Sequence, residues 1–506
     1  MKTGRNLLYL YNTGCVRASG GERRQPTRDP MNIKLVHSGL FVLALLFSGC
    51  SGPKPEKITE THKVNKWVYE QMERNYLWSA ELPGMDKTDR AVEPAEYFDN
   101  YLRYRTTQAS DYSKDTYGDR FSRIEYKGDG EAETRANFAE KTEYDFGFML
   151  SKIYRDEEYK HLDQLAVLYV VPGSPAEKAG LRRGDAFKKA NGVVLTSSNL
   201  MSVLAGNSIS VEVFNRETEG PLQITKGTYY DNPILVDSIY DAPEKTAYLA
   251  YNHFTKGSGS GEGAYAVKLK AAFKRYRDAG VENLILDLRY NGGGEIENAR
   301  LLASLIAPRD MLGCEFMRTE SNESMGNWDK YKIVKFLPNS QMDNSNADIK
   351  DLYIITSENT ASASELIIHT LRPFYNGNLR VIGQTTRGKN LGGITCTSSR
   401  YDWEISPITL RVYNMERESG YEKGLNPDTG MYMKEYGPFN GYHTLHPLGD
   451  YENEWLLNVV MHKYFGVPLA EGSTWKGGRT RSASDLKGTE ALVPQRGLSA
   501  GRIVVD

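Results

Sequence analysis

Asn283-Leu-Ile-Leu-Asp-Leu288, running into Arg289-Tyr-Asn-Gly-Gly-Gly294, is the stretch on which the fold turns. This short, mostly apolar run reads as a buried strand. The glycines mark a tight loop, and a helix is expected after it. Outward from there, residues 247–254 read as a strand and 264–279 as an amphipathic helix. Residues 352–356 and 379–383 are further strands. The helix between them carries Leu366, Ile367, Thr370, Leu371 and Phe374 on one face. Strands alternating with helices predict an α/β core over 227–470.

Residues 140–225 have a different rhythm. An apolar strand at 165–171 leads to Ser174-Pro175, a serine cap with proline at the first helical position, and Gly180 ends that short helix. Asn191-Gly192 is a hairpin turn, and a second helix, 198–205, precedes a strand at 209–214. Before this segment, Val64, Trp67, Val68 and Met72 follow helical spacing, and Tyr97, Tyr101, Leu102 and Tyr104 suggest another helix after Pro94. Residues 61–135 therefore read as a small helical domain. The fold class is multidomain α/β (α+β), with a Gly-, Ser- and Arg-rich flexible tail over 471–506.

The start of the chain is a targeting segment. Residues 1–30 precede a second methionine, Met31, and look like a mis-called start. Lys34, an apolar run at 40–47 and then Ser48-Gly49-Cys50 form a secretory signal, so 1–49 is excluded from the fold and 50–60 is a tether. The apolar run is too short to span a bilayer as a helix. The 506 residues are 40% hydrophobic and 25% charged, an ordinary globular balance. With 63 basic residues against 65 acidic ones, the net charge is −2, and no basic excess exists for nucleic-acid binding. Cysteines at 15, 50, 314 and 396 contain no CxxC pair and the eight histidines no HExxH, so neither metal nor cofactor is expected. Whether Cys314 and Cys396 pair is open.

Three chemistries compete in the core. Gly259-Ser-Gly-Glu-Gly-Ala264 fits a dinucleotide fingerprint with Asp287 downstream, but the loop is long rather than a tight turn. Gly383 to Lys389 fits a phosphate-binding loop, but Asn390 stands where Ser or Thr must hold magnesium, and β-type residues follow. The third is nucleophilic catalysis. A serine at a helix tip meets free N–H groups and the positive dipole end, and a buried lysine of lowered pKa can serve as its base. Ser362-Ala-Ser-Glu365 is equally a capping box, so Ser362 has a purely structural reading as well. Ser364 is an alternative nucleophile and His369 an alternative base.

Asp287 to Gly294, Thr360-Ala-Ser-Ala-Ser-Glu365, Gly388-Lys389 and Lys423-Gly-Leu-Asn-Pro-Asp428 stand in the order seen in C-terminal processing (tail-specific) serine proteases, which the chain resembles over about 140–430. Residues 170–185 resemble the PDZ domains of such bacterial proteases. The resemblance implies Ser362 as nucleophile and Lys389 as base, with an oxyanion hole of the Gly293 and Ala363 N–H groups. It also implies a peptide-binding loop at Phe146, Gly147 and Phe148 for apolar C-termini of protein substrates. The Ser–Lys interval is long for that family, at 389 − 362 = 27 residues. The family's lysine-orienting glutamine is replaced by Gly393. The Phe-Ser-Gly-Cys ending resembles the lipobox of bacterial lipoproteins, implying a lipid anchor at Cys50 and a cell-envelope location. The rival reading is a catalytically inactive, lipid-anchored PDZ binding protein.

Overall fold

The computed structural model describes residues 58–106, 117–127, 142–154, 162–241, 243–257, 263–322, 333–435, 445–470 and 489–492. The chain divides into two compact units, Met1–Thr59 and Glu60–Asp506. The signal segment, Cys50 and most of the tether lie outside the described residues, as do Gly259 and Gly261. Among the described residues no helix is long and apolar enough to cross a membrane.

The core of the second unit is a five-stranded sheet in the order Ile234–Tyr240, Thr246–Tyr251, Asn283–Asp287, Asp351–Thr356, Leu379–Gly383. The first pair is antiparallel and the other three are parallel. The apolar run at 283–288 has a packing reason. Leu284 and Leu286 face a core shared with the helices Ala264–Asp278, Ile296–Ile306 and Ala363–Leu371. Ile285, pointing the other way, packs with Leu457, Val460 and Met461 of the helix Trp455–Phe465. Alternate side chains point to opposite faces, so a strand covered on both sides must be apolar throughout.

A second sheet runs Leu222–Thr225, Ser208–Val213, Ala186–Ala190, Leu162–Val170, Phe148–Tyr154, Thr489–Leu492. Its turns follow the sequence closely. Ser174 Oγ accepts from the Glu177 N–H at the start of the helix Pro175–Lys178. Asn191 and Gly192 both take positive φ, 54° and 73°, between paired strands, as a two-residue type I′ hairpin requires.

Two expectations need correction. The segment after residue 60 is not purely helical and does not pack by itself. Val64, Val68 and Met72 of the helix Glu60–Asn75 share one apolar cluster with Leu391, Ile405 and Ile408, and Arg123–Tyr126 is a strand paired with Trp403–Ser406. Local periodicity finds the helix but not the distant strands that cover it. Within the supposed flexible tail, Thr489–Leu492 forms a strand antiparallel to Phe148–Tyr154, with Leu492 opposite Leu150. That pairing depends on an available sheet edge, which no local composition reveals.

Candidate active site

Three loops meet at the carboxyl ends of adjacent parallel strands, the usual location of sites in open α/β sheets. They follow Asn283–Asp287, Asp351–Thr356 and Leu379–Gly383, and they carry Gly293, Ser362 and Lys389 respectively. The first two loops are laced together. Thr360 Oγ1 donates to Leu288 O at 2.8 Å, the Ala361 N–H to Asn291 O at 3.1 Å, and Ser364 Oγ to the same carbonyl at 3.0 Å. Ser364 is thus a buried brace whose hydroxyl is already committed.

Ser362 sits at the tip of the helix Ala363–Leu371 with φ 56° and ψ −114°. A non-glycine residue there carries backbone strain of about 1–3 kcal/mol, which surrounding structure must hold in place. Much of the hold comes from Glu365. Its buried carboxylate accepts the Ser362 N–H at 2.8 Å in a capping box, and also the Gly388 N–H at 2.6 Å, the Lys389 N–H at 2.8 Å and Thr386 Oγ1 at 2.5 Å. The capping-box and active-serine readings are therefore compatible. One carboxylate ties the serine turn to the lysine loop. Burial pushes the Glu365 carboxyl up, against the pull of these donors.

Lys389 is 3% exposed. Burial, and then the nearby Arg123 guanidinium, lower its amine from 10.5 to about 7, while Asp119 and Glu365 oppose the change. Ser362 Oγ and Lys389 Nζ are not hydrogen-bonded to each other among the described contacts. The amine lies over the Phe121 ring, 5.3 Å from its centre.

The Ala363 N–H is the first of the helix and has no described acceptor. Gly293 packs directly on the serine. A Cβ at Gly293, where φ is 110°, would lie 2.8 Å from Ser362 Cβ and 3.0 Å from Ala361 O, so only glycine fits. Its N–H, however, donates to Asn291 Oδ1 at 2.8 Å. The N–H expected to face an oxyanion is therefore occupied by this side chain in the structure. A short side chain two residues upstream closes an Asx turn onto it. His369 is also taken, because its Nε2 meets Glu418 O at 2.7 Å and its ring packs on Tyr421. Burial lowers its pKa.

Phe146 and Gly147 lead into the strand Phe148–Tyr154 of the second sheet, and Phe146 and Phe148 pack in a different apolar core. Phe146 is buried, its ring stacks on Phe148, and its carbonyl accepts the Ala176 N–H. Gly147, with φ 82°, approaches Ser174 so closely that a Cβ would lie 2.2 Å from the serine Cβ. Gly393 has its own steric reason, since a Cβ there would lie 2.4 Å from Pro407 O. Cys314 and Cys396 are unbridged.

Sequence reasoning missed a buried ionic cluster beneath the glycine loop. The Arg289 guanidinium binds Asp287, Glu435 and Glu454, all at 2.7 Å for the closest contact. Arg183, from the second sheet, reaches Glu435 and the Tyr290 hydroxyl, both at 2.6 Å. Burial works to raise the Glu454 carboxyl, but Arg289 and Arg183 hold it at about 2. Apart from Asp287, two residues before Arg289, the groups these arginines bind lie more than 100 residues from them, so spacing carries no signal for the cluster.

Residues 245–431 match the model of peptidase family S41, and residues 63–123 match the peptidase S41 N-terminal domain. The "Probable CtpA-like serine protease" of Staphylococcus aureus (strain N315) is 26% identical over 293 residues, covering 56% of this chain and 53% of that protein. The protein of the same description from Staphylococcus haemolyticus (strain JCSC1435) is 24% identical over 289 residues, covering 55% and 52%. The match thus spans about half the length of these curated relatives. The crystal structure of an S41-assigned protease from Bacteroides fragilis NCTC 9343 superposes with a TM-score of 0.63 at 25% identity, covering 81% of this chain and 98% of that one. Both family segments occur in order on a mixed α/β fold shared with that structure, and residues 63–123 and 245–431 of this chain are peptidase family S41 domains.

Proposed function

We propose that the chain is a serine endopeptidase acting through a Ser362–Lys389 dyad on protein or peptide tails presented by a PDZ domain over 140–225. The observation that carries this reading is the Glu365 carboxylate, which receives the backbone N–H groups of both residues and so holds the helix-tip hydroxyl and the lysine loop in one frame. The amine at about 7 can be neutral at working pH.

Neutral Lys389 Nζ takes the proton from Ser362 Oγ as that oxygen bonds to the scissile carbonyl carbon. The negative charge moves to the carbonyl oxygen, toward the Ala363 N–H and the helix dipole. The lysinium returns the proton to the leaving amine as the C–N bond breaks, leaving an acyl-enzyme. Water, deprotonated by the same amine, then releases the acid. Because the Gly293 N–H is satisfied by Asn291, its use as second donor requires the Asn291 amide to turn away when the oxyanion forms.

This reading places the carboxylate of the captured tail at Phe146-Gly147-Phe148, and strand addition to Phe148–Tyr154 requires Thr489–Leu492, which pairs with that edge here, to be displaced. A lipid anchor at Cys50 in a bacterial cell envelope completes it. Gly393 and the absent Ser362–Lys389 hydrogen bond favour the catalytically inactive binding protein as second reading. Cleavage of an unfolded protein with an apolar C-terminus separates the two. Turnover should vanish in Ser362→Ala and Lys389→Ala and persist in Ser364→Ala. A wild type that binds the tail without cleaving it would establish the binding protein instead.

A further inference from the structure

Lys389 lacks the side chain expected to orient it, and Gly393 has no room for one. What touches the amine comes from the other end of the chain. Phe121 lies in a loop pinned at both sides. Asp119 Oδ1 accepts the Phe121 and Ser122 N–H groups at 2.9 Å, and its Oδ2 accepts the Tyr76 hydroxyl at 2.7 Å. Ser122 Oγ accepts the Ile408 N–H at 2.8 Å, fixing the loop to the strand Ile408–Tyr413. Arg120 then reaches over the lysine loop. Its Nη2 faces Gly388 O at 3.4 Å and Glu422 O at 3.3 Å, and its guanidinium lies 4.9 Å from the Phe121 ring centre. The residue before the lysine is thus held from two sides, by Glu365 at its N–H and by Arg120 at its carbonyl.

We propose that the loop 119–122 is the positioning element of Lys389, with the Phe121 ring as the rest for its amine and Arg120 as the clamp on its backbone. The proposal rests on the dyad reading. An aromatic face attracts a cation within about 6 Å and has no such hold on a neutral amine. The protonated amine therefore stays on the ring, and loss of the proton frees it to turn toward Ser362. The charged groups that also act on the amine are Arg123 and Arg387, which disfavour its charge, and Asp119 and Glu365, which favour it. Removing the ring face removes a contribution that favours the charged form, so the amine should lose its proton at lower pH.

The test measures kcat/KM against pH for wild type, Phe121→Leu, Phe121→Tyr, Arg120→Gln and Ser362→Ala on an unfolded protein with an apolar tail. It adds a 13C NMR titration of labelled lysine, with Lys389→Met identifying the resonance. For Phe121→Leu, the acid limb and the NMR midpoint should both fall by roughly half to one and a half pH units, with kcat reduced about tenfold or more. Phe121→Tyr keeps a ring face and should restore the wild-type midpoint. Arg120→Gln should lower kcat with KM nearly unchanged and leave the midpoint within about 0.3 units. A Phe121→Leu midpoint equal to wild type overturns the proposal even if activity falls, since a merely structural loop would lower activity without moving the titration. If Ser362→Ala cleaves as well as wild type, the dyad reading fails, and the NMR midpoints still decide the role of the loop.

Discussion

Replacing Lys389 with methionine should abolish turnover and still make the protein harder to unfold at pH 6. The amine is 3% exposed and titrates at about 7 rather than 10.5, chiefly through burial. At 1.36 kcal/mol per pH unit, keeping it charged costs the folded state about 5 kcal/mol. The sign follows from proton counting. Between pH 7 and 10.5 the unfolded chain holds a proton that the folded chain has released, so stability rises with pH across that window. Methionine is exempt from this cost. Its advantage should be about 5 kcal/mol at pH 6, less about 1–2 for the lost ring contact and imperfect packing. Above pH 7 the gap should shrink by about 1.4 kcal/mol per unit, to about 2 before that correction at pH 9. Urea unfolding followed by fluorescence at both pH values reads it directly. A gap of the same size at pH 6 and pH 9, or a less stable variant at pH 6, would show that the amine does not titrate near neutrality, and the general-base step would fall with it.

Glu365→Gln should cost about 2–4 kcal/mol and lower kcat by about 10²-fold, because an amide cannot accept the four donors now converging on the carboxylate. Thermal unfolding and turnover check the two effects separately, and a variant with wild-type turnover would remove Glu365 from the positioning frame. In acid, Glu454 predicts a loss of stability. Its carboxyl titrates at about 2 when folded and near 4.5 when unfolded, so about 3 kcal/mol present above pH 4.5 should disappear as pH falls to 2. Glu454→Gln should flatten that limb in urea titrations between pH 5 and 2, while losing stability at neutral pH because Arg289 and Arg183 keep their buried charge.

The alternating code of the core was legible residue by residue. Leu284, Ile285 and Leu286 are apolar because both faces are covered, and Asn191-Gly192 adopts the positive φ values that its residue types favour. The serine and lysine motifs were legible too, as short segments at the ends of strands. What the sequence did not show comes largely from contacts made across the chain. The Asn291 amide on the Gly293 N–H is a local exception, an Asx turn two residues long, but the helix Glu60–Asn75 depends on strands more than 300 residues away. The surroundings of Lys389 are of the same kind, since Phe121 and Arg120 lie 268 and 269 positions before it. Local pattern and turn chemistry act over a few bonds and are written in neighbouring residues, so strand, helix, hairpin and motif could be read from the sequence alone. Desolvation, hydrogen-bond competition and the placement of a ring beside an amine are set by distant segments brought together, and only the tertiary structure decided them.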